Sequence, residues 1–215
     1  MSDPECQLLR KTAISVVWFP LVFAGCGQDD ATARTPYQSK AVSGAVTADE
    51  RAAASLPVVL ETGNWEDVQA HVAESAGKIV VVDLWSTSCV PCIKELPRLG
   101  QLQRDRSEDV VCISLSVDYI GLKSRPAESY RERVQKTLER CDVRGRNFLC
   151  TTDSDMVFRE LDLPSIPAVY VYGADGQLVQ RFDASSLKEG SSQEEPFSYN
   201  ADILPLVNQL IADLD

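Results

Sequence analysis

Two thiols separated by two residues are the part of this sequence best suited to chemistry. They are Cys89 and Cys92, in Cys89-Val90-Pro91-Cys92. Such spacing serves either a metal or a redox pair. Zinc needs four ligands, usually completed by a second close cysteine pair or a histidine pair. The chain has one histidine, His71, and no second Cys-x-x-Cys, so no metal is expected. A redox pair needs both sulfurs within one helical turn and a stabilised thiolate. The apolar run Lys78 to Trp85 reads as a buried strand, and Pro91 to Gln103 reads as a helix. The pair therefore falls where a strand gives way to a helix N-terminus. Free N–H groups and the positive helix end would lower the pKa of Cys89 there. Cys89, ahead of the helix, is the expected nucleophile. Cys92, one turn inside, is expected to resolve the mixed disulfide. The only redox cofactor this implies is the Cys89–Cys92 disulfide itself.

The elements that must hold this pair follow from pattern. Pro57 to Leu60 reads as a short strand. Asn64 can cap a helix over Trp65 to Ser75, where Trp65, Val68 and Val72 share a face and Gly77 ends it. The continuous apolar run of Lys78–Trp85 suits a central strand covered on both faces. Val110 to Val117 is a second buried strand. Ser129 to Arg140 is an amphipathic helix, Asn147 to Thr151 a strand, and Asp155 to Leu161 one or two helical turns. Ala168–Tyr172 and Gln177–Phe182 are strands joined by the turn Gly173-Ala174-Asp175-Gly176. Glu189 to Tyr199 reads as an acidic loop, and Ile203 to Leu214 as a closing helix. Strands alternating with helices, then a hairpin, predict an α/β layer fold with a mixed sheet.

The segment Val82-Asp83-Leu84-Trp85-Ser86-Thr87-Ser88-Cys89-Val90-Pro91-Cys92 resembles the active-site segment of thioredoxins. Its continuation, Ile93-Lys94-Glu95-Leu96-Pro97, resembles the exported, membrane-tethered TlpA/ResA-like branch, where Glu-x-Pro follows the second cysteine. The resemblance spans Leu56 to Asp215. It implies a thioredoxin-like three-layer fold with a central mixed sheet and an extra helix–strand insertion between Asp118 and Thr151. It also implies roles. Asp83 matches the buried carboxylate beneath the cysteines, which burial would raise in pKa so that it takes the proton of Cys92. Trp85 matches the aromatic that packs beside the site and is assigned with the substrate contacts. Ile166-Pro167 matches the cis pair that faces the cysteines and binds the substrate chain. Pro97 should kink its helix. The sequence departs from its relatives at Ser88, where many place Trp, and at Ser114, where thioredoxins often place Lys. Val90-Pro91 carries no histidine between the cysteines, which leans towards a reductant.

The N-terminus gives an address. Arg10 and Lys11 precede an apolar run from Ala13 to Gly25, too short for comfortable spanning but suited to a secretory signal. Phe23-Ala24-Gly25-Cys26 resembles a bacterial lipoprotein signal, although Phe23 stands where an aliphatic residue is usual. The expected organisation is a signal peptide over 1–25, a lipid at Cys26, a flexible tether over 26–55 and one domain over 56–215. Export places the protein on the periplasmic or outer face of a bacterial membrane. Of the seven cysteines, Cys112 reads as a core residue, and a Cys141–Cys150 bridge is open. With a net charge of −11 the chain is no nucleic-acid binder. The expected partners are disulfide-containing exported proteins, an apocytochrome awaiting haem among them, and a membrane electron donor that re-reduces the pair. Two other functions compete. One is a non-catalytic thioredoxin-fold binding or assembly factor. The other is a peroxiredoxin-type peroxidase, which would need Thr where Ser86 stands.

Overall fold

The computed structural model describes residues 57–186 and 197–214. The signal segment, Cys26 and the tether lie outside the described residues, as do Leu56 and most of the acidic loop. Among the described residues no helix is long and apolar enough to cross a membrane.

The chain begins with a short strand, β1 (Glu61–Gly63), followed by α1 (Trp65–Glu74) and β2 (Ile79–Trp85). Helix α2 (Val90–Asp105) and strand β3 (Val110–Ser116) complete a first βαβαβ run. A 3-10 turn (Ala127–Tyr130) leads into α3 (Arg131–Arg140), then β4 (Arg146–Cys150) and α4 (Ser154–Glu160). The hairpin β5 (Ala168–Tyr172) and β6 (Leu178–Phe182) follows. A single π-type turn (Tyr199–Ile203) then opens α5 (Leu204–Ala212).

The sheet has six strands in the order β1-β4-β3-β2-β5-β6. The first four are mutually parallel; β5 runs antiparallel to β2, and β6 to β5. This is the expected mixed sheet of a thioredoxin-like fold, with α3 and β4 as the helix–strand insertion that separates β1 from β3. Every residue of β2 is buried, because helices cover both faces. Alternation along the strand sorts them. Val80, Val82 and Leu84 face α1 and α4, with Val68, Val72 and Val157. Val81 and Trp85 face α2, α3 and α5, packing with Leu96, Leu99, Val134, Leu138 and Val207. Asp83, between Val81 and Trp85, points to the second face.

Local chemistry explains the boundaries. Asn64 and Asp67 form a reciprocal capping box at the start of α1. Helix α2 continues through Pro97, with Leu96 and Leu99 buried on either side of it. Gly100 on α2 permits a close approach: a Cβ there would lie 2.4 Å from the carbonyl oxygen of Asp142. The first strand lies downstream of its expected place. Val58, Val59 and Leu60 give their carbonyls to side chains, those of Gln135, Asn147 and Arg131. They therefore take no part in the ladder, and pairing with β4 starts at Glu61.

Candidate active site

The cysteine pair sits at the expected junction. Strand β2 ends at Trp85, and Ser86-Thr87-Ser88 carries the chain to Cys89, the cap of α2. Cys89 and Cys92 form a disulfide with an S–S distance of 2.01 Å. The two sulfurs are unequal. Cys92 is buried, whereas Cys89 is half-exposed and Val90 beside it is 79% exposed. The backbone N–H of Cys92 points at Cys89 Sγ, 3.2 Å away. Helix N-terminal donors are therefore aimed at the outer sulfur, and the first turn of α2 holds no acidic residue to oppose a thiolate.

The loop in front of Cys89 is fixed by Asp118, which the sequence reading did not single out. Its fully buried carboxylate accepts from the N–H of Thr87 at 3.0 Å, from the Thr87 hydroxyl, and from Ser116 Oγ at 2.7 Å. Arg133 of α3 adds an ion pair at 2.5 Å and lies over the Tyr130 ring. A carboxylate taken out of water needs such a set of donors. The consequence is a loop held two residues from the nucleophile.

Asp83 is 4% exposed. Burial pushes its carboxyl up from an ordinary 3.8 to about 7, partly offset by a hydrogen bond from Tyr199, and Glu95 adds to the rise. Tyr199 Oη donates to Asp83 Oδ2 at 2.7 Å. The backbone N–H of Tyr199 in turn donates to Glu95 Oε2 at 3.0 Å. Glu95 lies three residues beyond Cys92, on the same side of α2. The carboxyl of Asp83 thus lies on the face of the sheet that α2 covers, tied through Tyr199 to the helix that carries Cys92. The sequence reading left Tyr199 at the end of an exposed acidic loop; it is fully buried. A signal existed in Phe197-Ser198-Tyr199, where aromatics interrupt the acidic run ahead of a helix.

The other expected residues are placed as follows. The Ile166–Pro167 bond is cis. It precedes β5, whose first residue Ala168 pairs with Leu84, so the chain enters β5 at the sheet end from which Cys89 emerges. Ile166 and Pro167 are half-buried. Trp85 is a correction: it is fully buried in the cluster under α2. A ring with no exposed surface supports the loop from below and offers no contact face to a substrate. Ser88 is exposed in the loop before Cys89. Ser114 lies in register beside Asp83 but donates its hydroxyl to Asn147 at 2.8 Å. The Cys141–Cys150 bridge does not form. The two thiols are free and buried in the clusters on opposite faces of the sheet. Cys112 is buried, and burial drives its thiol far up, aided by Asp83. His71 pairs with Glu74 at 2.9 Å and stacks on Phe148. Among the described residues no three His, Cys, Asp or Glu side chains gather to hold a metal.

No protein-family model matches the chain. Solved structures of similar fold include a thioredoxin-like protein in its oxidized form, 15% identical, with a TM-score of 0.48 over 65% of this chain and 82% of that one. A secreted Mycobacterium tuberculosis disulfide oxidoreductase, described as homologous to E. coli DsbE, is 18% identical. Its TM-score is 0.44 over 65% of this chain and 85% of that one. A thiol:disulfide interchange protein of the thioredoxin family from Chlorobium tepidum TLS is 18% identical. Its TM-score is 0.45 over 65% of this chain and 83% of that one.

Proposed function

We propose that the chain is an exported thiol–disulfide oxidoreductase that reduces disulfides in other exported proteins. One observation carries this reading: a Cys89–Cys92 disulfide whose outer sulfur caps α2, on a sheet face that also buries a carboxyl near neutral pKa. The steps balance as follows. The Cys89 thiolate attacks one sulfur of the substrate disulfide, and the first substrate thiolate leaves. Cys92 gives its proton to Asp83 and attacks Cys89 Sγ. The second substrate thiolate leaves, the Cys89–Cys92 bond forms, and two electrons have passed to the substrate. A dithiol donor at the membrane returns them. Ile166 and Pro167 flank the substrate chain at the mouth of the site. The absence of any cation between the cysteines supports the reducing direction, since a less stabilised thiolate yields its electrons more readily. Export by the segment over 1–25 and a lipid at Cys26 complete the proposal, with apocytochromes as one client class.

The test is to express the full chain, and its Cys92→Ser variant, in an exporting host. The variant should accumulate mixed disulfides through Cys89, and the unaltered chain should reduce a model disulfide protein. A chain that forms no adducts and cycles no thiols is not an oxidoreductase. Peroxide consumption would instead make it a peroxidase. A potential measured against glutathione decides the direction.

A further inference from the structure

The mechanism above leaves Tyr199 without a task, although its geometry is specific. It is fully buried and comes from the turn that opens α5, far along the chain from the site. It spans two carboxylates, donating its backbone N–H to Glu95 and its hydroxyl to Asp83. A phenol placed only to fill space needs neither bond. Ser114, the polar neighbour of Asp83 in β3, turns its hydroxyl away to Asn147.

We propose that Tyr199 is a positioning residue for the resolving step, holding Asp83 in the ionised form that accepts the proton of Cys92. The inference rests on the oxidoreductase reading and deepens it. Its physical basis is simple. Burial favours the neutral carboxyl, and a hydroxyl that donates to the carboxylate favours the charged one. Tyr199 itself stays protonated, because burial and the neighbouring Asp83 push its phenol well above its ordinary range. It therefore acts as a fixed donor rather than a proton carrier. The titratable groups facing Asp83 are Tyr199 from the π-type turn, Glu95 from α2 and Cys112 from β3. On β5 its register neighbour is the uncharged Val169. Glu95 and an ionised Cys112 would both raise the proton affinity of Asp83, so of these three groups only Tyr199 lowers it.

Tyr199→Phe keeps the ring and removes the hydroxyl. Two readouts are needed on the full chain. One is the carboxyl-carbon NMR titration of Asp83, assigned with Asp83→Asn. The other is the pH profile of resolution, started from a preformed mixed disulfide at Cys89. The variant should move the Asp83 midpoint and the acid limb of the profile upward together, by about one pH unit or more. Resolution at pH 7 should then slow about fivefold and recover at higher pH. In an Asp83→Asn background the same substitution should add nothing. A residue that merely fills the core would lower the rate equally at every pH and leave the midpoint in place. An unmoved midpoint, a pH-independent loss or an equal loss in the Asp83→Asn background overturns the proposal. The two failures separate cleanly. A wild-type chain that exchanges no disulfide refutes the oxidoreductase reading. An active chain whose variant shifts neither midpoint nor profile refutes this one.

Discussion

Asp83→Asn should make the protein more stable and less active, and the stability gain should appear only as the pH rises. The folded carboxyl titrates at about 7 against an ordinary 3.8, burial being the main cause. Below the ordinary value both folded and unfolded chains hold the proton, and Asp83 costs nothing through ionisation. Between the two values the unfolded chain releases its proton while the folded one keeps it, so stability falls as pH rises. Above about 7 the deficit is complete. A gap of roughly 3 pH units at 1.36 kcal/mol each comes to about 4 kcal/mol. Asparagine removes the titration, and its carbonyl oxygen can still accept from Tyr199 Oη, now 2.7 Å from Asp83. The variant should thus match the wild type near pH 4 and exceed it by about 4 kcal/mol at pH 8. The assay is urea unfolding of the oxidised protein at pH 4, 6 and 8, with the slope of unfolding free energy against urea unchanged. A stability difference that is flat across pH, or of opposite sign, refutes the reasoning. The same variant should slow release from the mixed disulfide at neutral pH.

Other expectations follow from the same packing. Asp118→Ala leaves Thr87, Ser116 and Arg133 without their shared acceptor. It should cost about 2–4 kcal/mol in urea unfolding, with the Arg133 share small because that side chain is half-exposed. It should also speed amide exchange at Thr87, and a loss under about 1 kcal/mol with unchanged exchange would show that Asp118 does not hold the loop. In the native oxidised protein Cys112, Cys141 and Cys150 should resist alkylation at pH 8 and react only after unfolding. All three are buried, and burial pushes Cys150 up to about 11 and raises Cys141. Peptide mapping after iodoacetamide checks this, and a Cys141–Cys150 disulfide peptide would contradict the fold.

Much of the fold was legible because its signals are local. A seven-residue apolar run can be little other than a covered strand, and a turn rich in glycine between two short strands is a hairpin. The cysteine pair, Asp83 and the residues before Pro167 lie in segments whose neighbours specify them. The misses share a different cause. Val58 to Leu60 have the composition of a strand, but their carbonyls are claimed by side chains of α3 and β4 that lie far along the chain. Cys141 and Cys150 are close in sequence, yet a sheet stands between them. Tyr199 and Asp118 matter through contacts with residues 116 and 31 positions away, and no pattern within a window records such a bond.

The polar row across the sheet explains why Asp83 depends on so distant a residue. Asp83, Ser114 and Asn147 stand side by side in register on the face covered by α2. Asn147 donates to the carbonyls of Val59, Val143 and Gly145 and accepts from Ser114. That closes the row towards β1 and leaves Asp83 at its open end. A cation at the position of Ser114 would have held the carboxylate ionised; a serine committed to Asn147 cannot. Buried acids without a donor simply keep their proton, and an acid that keeps its proton cannot take one from Cys92. The donor therefore has to arrive from outside the sheet. The closing segment supplies it through Tyr199, anchored to α2 by Glu95, and so ties the last turn before α5 to the chemistry of the first cysteine pair.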